Sequence, residues 1–169
     1  IYIPRFRNMG KEKRDYMRGF GYQGGASRQG WQSLIAEASI GADLKAAVTT
    51  PGKWTMGVMG FGEVLPDYSN MVMINRDKKD KHGLPTLTFD TEFKENDFKM
   101  RKDMASDAAE MLEASGFKNV NSFDRPSQHG LGLGIHEMGT ARMGKDPKTS
   151  VLNKYNQVHA CKNVFVTDG

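Results

Sequence analysis

Asn70-Met71-Val72-Met73-Ile74-Asn75 and Thr86-Leu87-Thr88-Phe89-Asp90-Thr91-Glu92-Phe93 flank a charged loop that ends in Gly83. Two short runs rich in β-branched and aromatic residues around such a loop predict a pair of antiparallel strands. Leu87, Phe89 and Phe93 share one face at period two. Thr86, Thr88, Asp90 and Glu92 share the other, which is expected to be the wet face of a half-buried sheet. Downstream, Asn96 or Asp97 can cap a helix from about Phe98 to Ser115, with Met100, Met104, Ala108 and Met111/Leu112 at three- and four-residue spacing and Gly116 as the stop. Several of the 11 Met residues lie on that stripe, where adaptable core filling explains them. Hairpin and helix together predict an α+β domain, an antiparallel sheet flanked by helices.

Upstream, Trp54-Thr55-Met56-Gly57-Val58-Met59-Gly60-Phe61-Gly62 places Trp54, Met56 and Val58 on one face, and its glycines predict a strand close to another backbone or ligand. Leu34 to Ala38 is a helix-like patch interrupted at Gly41 and followed by Asp43-Leu44-Lys45-Ala46-Ala47. Gly19-Phe20-Gly21-Tyr22-Gln23-Gly24 has the spacing of a dinucleotide-binding fingerprint. The context argues against it: Lys11 to Arg18 is mostly charged instead of a buried strand, and Gly24-Gly25 continues the run where a helix should open. A strand with alternating Phe20 and Tyr22 fits better.

The 169 residues carry 38% hydrophobic residues, enough for an ordinary core, and no apolar run approaches the ~20 residues of a membrane helix. Lysines and arginines, 24 against 20 acidic residues, are interleaved with carboxylates, as in Lys11 to Asp15 and Asp77 to Lys81. Such runs make solvated surface and argue against a nucleic-acid clamp. The single Cys161 cannot form an internal bridge and leaves the redox compartment open. Ile1 to Arg7 reads as the middle of a chain, and Asn163-Val164-Phe165-Val166 is a strand pattern that stops where a turn should begin. A fragment of a longer protein is expected.

From Asn119 to Val158 regular periodicity is lost amid glycines at 130, 132, 134, 139 and 144 and prolines at 126 and 147. Long irregular stretches in compact domains are commonly functional. Here lies Gly134-Ile135-His136-Glu137-Met138-Gly139-Thr140-Ala141-Arg142-Met143-Gly144. A His-Glu-x-x-His zinc site is excluded because Thr140 stands where the second histidine is required. Two readings stay open on the residues alone: His136 as a hydrogen-bonded turn residue, or as a general base. His159 and Cys161 are two potential ligands without a third, so no metal site is expected. His82 reads as loop surface, His129 as a neighbour of the loop, and Arg142 and Lys145 as surface charge or anion contacts.

The run from His136 to Gly169 resembles the C-terminal signature of the glucose–methanol–choline (GMC) family of flavin-dependent oxidoreductases. Its elements occur in order: His136, Gly139-Thr140, Met143-Gly144, Asp146-Pro147, Ser150-Val151, Val158-His159, Asn163 to Val166, and Asp168-Gly169. Gly60-Phe61-Gly62-Glu63-Val64-Leu65-Pro66 is similar to a strand of the family's substrate domain. The wording of the histidine loop is nearest to bacterial sugar and polyol dehydrogenases that pass electrons to a carrier.

The resemblance implies oxidation of a CH–OH group with FAD as cofactor and a sugar, polyol or related alcohol as substrate. It assigns His136 as the base that takes the hydroxyl proton, Asp168 and Gly169 to the flavin's neighbourhood, and Gly139 and Thr140 to the shaping of the loop beside the cofactor. It implies a substrate-binding domain over 1–133 and a catalytic-loop and FAD-interface segment over 134–169, whose last strand belongs to an otherwise missing FAD-binding α/β domain. The family's second catalytic His or Asn falls beyond Gly169, so the isolated piece is expected to be inactive. Asn153 stands where Asp is common, and Cys161-Lys162 replaces a frequent glycine turn. The partners implied are the FAD-binding domain of the same parent chain and an electron carrier, in a periplasmic or exported setting. The alternatives are a basic non-enzymatic binding module and an inactive structural domain.

Overall fold

In the computed structural model, which describes residues 1–30, 40–128 and 130–167, the chain divides into two compact units. The first comprises Ile1–Val64 with Lys94–Asp124, the second Leu65–Phe93 with Arg125–Gly169. The expected α+β class holds: antiparallel strands combine with helices. The helix-like patch at Leu34 to Ala38 lies outside the described residues.

In the first unit, β1 (Tyr2–Ile3), β2 (Phe20–Arg28) and β3 (Trp54–Gly62) form a sheet of that order, both pairs antiparallel. The strand expected at Phe20 and Tyr22 is therefore present, and those two side chains are buried while Gln23 is exposed. Helix α1 (Ala42–Thr49) follows Gly41, whose φ of 80° suits a glycine. The long helix α2 (Glu95–Ala114) packs its stripe of Met100, Met104, Ala108 and Met111 against Tyr16, Phe20 and Tyr22, as the spacing predicted. Phe20 meets Tyr22 edge-on with ring centroids 5.6 Å apart.

Polar anchors fix the helix at defined heights. Tyr22 donates its hydroxyl to the Met104 carbonyl at 2.6 Å, and Tyr16 donates to Asp103 at 2.5 Å. Burial pushes both phenols above their ordinary pKa, with Asp103 adding to the shift of Tyr16. Arg7 makes a two-pronged bond to Asp107, 2.7 Å on each arm, and Asp107 is only 4% exposed. Its guanidinium is held charged chiefly by that bond.

The helix starts earlier than the sequence suggested. Lys94 is the N-cap, and Asp97 occupies the third helical position, from which its carboxylate reaches back to accept the Lys94 amide at 2.9 Å. A carboxylate serves the first turn from there as well as from the cap itself. Asn96 instead exchanges bonds with the Met17 backbone. At the other end Gly116, φ 87°, donates to Glu113 and Phe117 donates to Leu112, the double bond of a Schellman stop.

In the second unit, β4 (Met71–Lys79) and β5 (Pro85–Asp90) make the expected antiparallel hairpin, with Val72 opposite Phe89 and Ile74 opposite Leu87. Asp90 and Glu92 are exposed and Phe93 half-buried as expected, but between Thr86 and Phe89 the wet face is the opposite of the one expected. Leu87 and Phe89 are 57% and 68% exposed, while Thr86 and Thr88 are half-buried. The threonine face is held by its own polar bonds, Asn75 Nδ2 to Thr88 Oγ1 at 3.0 Å and Thr86 Oγ1 to the Lys78 carbonyl at 2.9 Å. His82 sits in the hairpin loop as expected, its amide bonded to Asp80.

The unit closes on a tight turn. Asn153 Oδ1 accepts the amides of Tyr155 and Gln157, and Asn153 Nδ2 donates to Gln157 Oε1 at 2.9 Å. Phe165 makes a single antiparallel bridge with Gln157. The Cys161 turn is closed by its amide to the Val158 carbonyl, and Cys161 Sγ bonds Asn163 Oδ1.

Two substitutions test this packing. A Cβ on Gly60 would collide with Sδ and Cγ of Met104, whereas one on Gly57 meets nothing within 4 Å. Gly60→Ala should cost about 1–3 kcal/mol by overpacking, and Gly57→Ala less than about 0.5 kcal/mol, read from denaturant midpoints. Asn153→Asp removes the donor to Gln157 Oε1, and the Gln157 amide cannot flip without losing its 2.7 Å bond to the Lys162 carbonyl. The same assay should show a loss of about 0.5–1.5 kcal/mol.

Candidate active site

Past Arg125 the described backbone hydrogen bonds run through turns, isolated bridges and side chains. Gln128 donates to the Arg125 carbonyl across Pro126, a turn whose second position suits proline. Gly134 donates to Glu137 Oε1 at 2.7 Å, closing a short loop over Ile135 and His136. Ile135 lies there at φ 65°, a conformation that a β-branched residue adopts at a cost. His136 follows on the exposed surface of the loop. Gly139, φ 89°, turns the chain, with open space where its Cβ would be, and Thr140 is exposed beside it.

The loop is anchored where it ends. The Arg142 carbonyl accepts the amides of Val151 and Leu152 at 2.9 and 3.1 Å, and Gly144 donates back to the Leu152 carbonyl at 2.8 Å. Leu152, 3% exposed, is buried at the centre of this clasp. Asp146, Pro147, Lys148 and Thr149 form the intervening turn, in which Thr149 donates to the Asp146 carbonyl and Lys148 to Asp146 Oδ1. The Arg142 side chain bonds the Thr149 carbonyl, so it belongs to the clasp. His159 Nε2 lies 3.1 Å from both Ser150 Oγ and the Gly144 carbonyl.

Of the residues singled out in the sequence, His136, Gly139 and Thr140 thus share one exposed loop. Asp168, Gly169 and His129 lie outside the described residues. The sequence reading missed the clasp that joins Met143-Gly144, Asp146-Pro147, Ser150-Val151 and Val158-His159. Its legible part is the Asp-Pro pair with a hydroxyl residue shortly after, a turn composition. Nothing in the sequence marks His159 as a contact of both its arms.

Two hollows flank these segments. One, of about 520 Å³, is walled by Lys145, Lys154, Tyr155 and His159 among others, with Lys154 Nζ 4.9 Å from the Tyr155 ring centre. The other, of about 290 Å³, is walled by Phe89, Thr91, Leu131 and Gly132, just before the histidine loop. The smaller lies nearer His136 in the sequence, though His136 is not among the described residues of its walls. Among the described residues no group of three or more His, Cys, Asp and Glu gathers as metal ligands, and no helix is long and apolar enough to cross a membrane.

Comparison with known proteins places this loop in context. The chain is 37% identical over 115 residues to the 2-methyl-1,2-propanediol dehydrogenase of Mycolicibacterium austroafricanum, covering 66% of this chain and 20% of that protein. It is 28% identical over 130 residues to the gluconate 2-dehydrogenase flavoprotein of Pantoea cypripedii, covering 75% and 21%. It is 27% identical over 146 residues to the fructose dehydrogenase large subunit of Gluconobacter japonicus, covering 85% and 25%. The chain therefore spans about a fifth to a quarter of the length of these relatives. The family model described as GMC oxidoreductase, a C-terminal domain, matches residues 66–169. With well over half its length in that match, including the whole histidine loop and clasp, this chain belongs to the GMC oxidoreductase family.

Proposed function

We propose that the chain is the substrate-domain and catalytic-loop part of an FAD-dependent oxidoreductase that acts on the CH–OH group of a sugar, polyol or related alcohol. In this reading residues 1–133 belong to the substrate-binding domain and 134–169 to the catalytic loop and flavin interface. The observation that carries it is the exposed His136 on a glycine-flanked loop anchored by the clasp at Arg142 to Leu152. The relatives' names, a propanediol, a gluconate and a fructose dehydrogenase, support the substrate class. Against the rival of a basic binding module, cations pair with carboxylates at Arg7–Asp107, Arg18–Glu63 and Lys99–Glu95.

The glycines of the loop are compatible with a close-lying cofactor. A Cβ at Gly132 or Gly139 would meet nothing within 4 Å, so no neighbouring atom of this chain crowds the backbone on either side of His136. When bound, the flavin supplies the acceptor for the hydride that leaves the carbinol carbon. The chain's part is proton handling and alignment. Loss of hydride from a neutral alcohol would leave a protonated carbonyl, and the His136 imidazole removes the hydroxyl proton as that charge develops. The clasp holds the loop so that imidazole, oxygen and carbon keep their alignment. Asp168 and Gly169 complete the flavin side of the site in this reading.

The test uses the full-length protein that carries this chain, loaded with FAD and mixed anaerobically with sugars and polyols. His136→Ala should keep its flavin and slow substrate-driven bleaching by about 10²–10⁴-fold. Bleaching at the unaltered rate would remove His136 from the role of base.

A further inference from the structure

His159 sits within hydrogen-bond reach of two groups with one ring nitrogen, and the partners determine which way the proton points. The Gly144 carbonyl can only accept, so Nε2 must carry hydrogen. Ser150 already donates its hydroxyl proton to the Asp146 carbonyl at 2.7 Å, which leaves its oxygen as an acceptor. One Nε2–H is therefore shared between Gly144 O and Ser150 Oγ, each 3.1 Å away. Through that nitrogen His159 is a donor and cannot act as a base.

These two acceptors stand on opposite arms of the clasp. Gly144 ends the arm that begins at His136, and Ser150 leads into Val151 and Leu152, whose amides hold the Arg142 carbonyl. The arms meet so closely that a Cβ on Gly144 would lie 2.7 Å from Ser150 Cβ. The His159 amide donates to the Val151 carbonyl at 3.0 Å, so its backbone and side chain grip the same arm at two points. Within the histidine loop Gly134 bonds Glu137, and at its downstream end the Arg142 carbonyl and the Gly144 amide enter the clasp.

We infer that His159 is a positioning residue: its Nε2–H ties Gly144 to Ser150 and thereby fixes the downstream end of the loop that presents His136. The structural part stands on the hydrogen bonds alone, and the link to turnover rests on the function proposed above.

The test compares His159→Phe, which keeps a ring of similar size without the donor, with His159→Gln, whose amide restores an N–H at similar reach. Both are made in the full-length, FAD-loaded protein. By hydrogen exchange with mass spectrometry, Phe should speed exchange in peptides spanning Gly144 and Val151 to Leu152 by about five- to tenfold, and Gln should return it toward the parent rate. In anaerobic flavin reduction by the best polyol, Phe should lower the limiting rate by about tenfold or more with little change in half-saturation, and Gln should recover most of it. Unaltered exchange in the Phe variant overturns the tie. Faster exchange with unaltered flavin reduction overturns positioning of the active loop. A parent protein that binds no flavin defeats the proposed function, while the exchange result still decides the tie.

Discussion

An exposed loop cannot borrow rigidity from a helix or sheet that it does not enter, so its backbone polar groups must be bonded at its ends. In this chain the constraint is met by the Arg142 carbonyl, which takes two amides from Val151 and Leu152 while Gly144 returns a bond to Leu152. The turn at Asp146-Pro147 brings the two arms together, and His159 closes them from outside. Four elements of the C-terminal signature, Met143-Gly144, Asp146-Pro147, Ser150-Val151 and Val158-His159, have a part in this arrangement. This middle part of the signature therefore reads as one hydrogen-bonded object and not as a string of separate contacts.

The first unit solves a different problem. A methionine-lined helix is laid on a strand whose glycines, at 60 and 62, leave the sheet face without side chains where Met100 and Met104 approach. Flexible thioethers fill the irregular gap. Directional bonds from Tyr16, Tyr22 and Arg7 then set the helix's height along the sheet, which unbranched hydrocarbon alone would leave loosely specified.

Much of this was legible in the sequence because it depends on period and punctuation. The hairpin, the strands at Phe20 and Trp54, the methionine stripe and the Gly116 stop follow from spacing and from glycine's tolerance of positive φ. Three things were not. The helix start depended on Asp97 reaching back from inside the helix, which a search for the nearest cap residue misplaces. The hairpin's exposed face depended on Asn75 and Lys78 bonding the threonines, and hydrophobic alternation is blind to such bonds. The tie at His159 joins residues 9 and 15 positions apart through a single proton, and no local pattern encodes it. For the histidine loop itself, the residue types suggested a base or a turn, and the preference for the base in the proposed function comes from the family signature.

The central claim is that His136 and the flavin act together on a carbinol carbon, and the most direct measurement is the anaerobic rate of flavin reduction by substrate carrying deuterium on that carbon. The account predicts a clear slowing relative to the protiated substrate in a single turnover, because the C–H bond breaks as the flavin is reduced. Flavin that bleaches at the same rate with either isotope would contradict it.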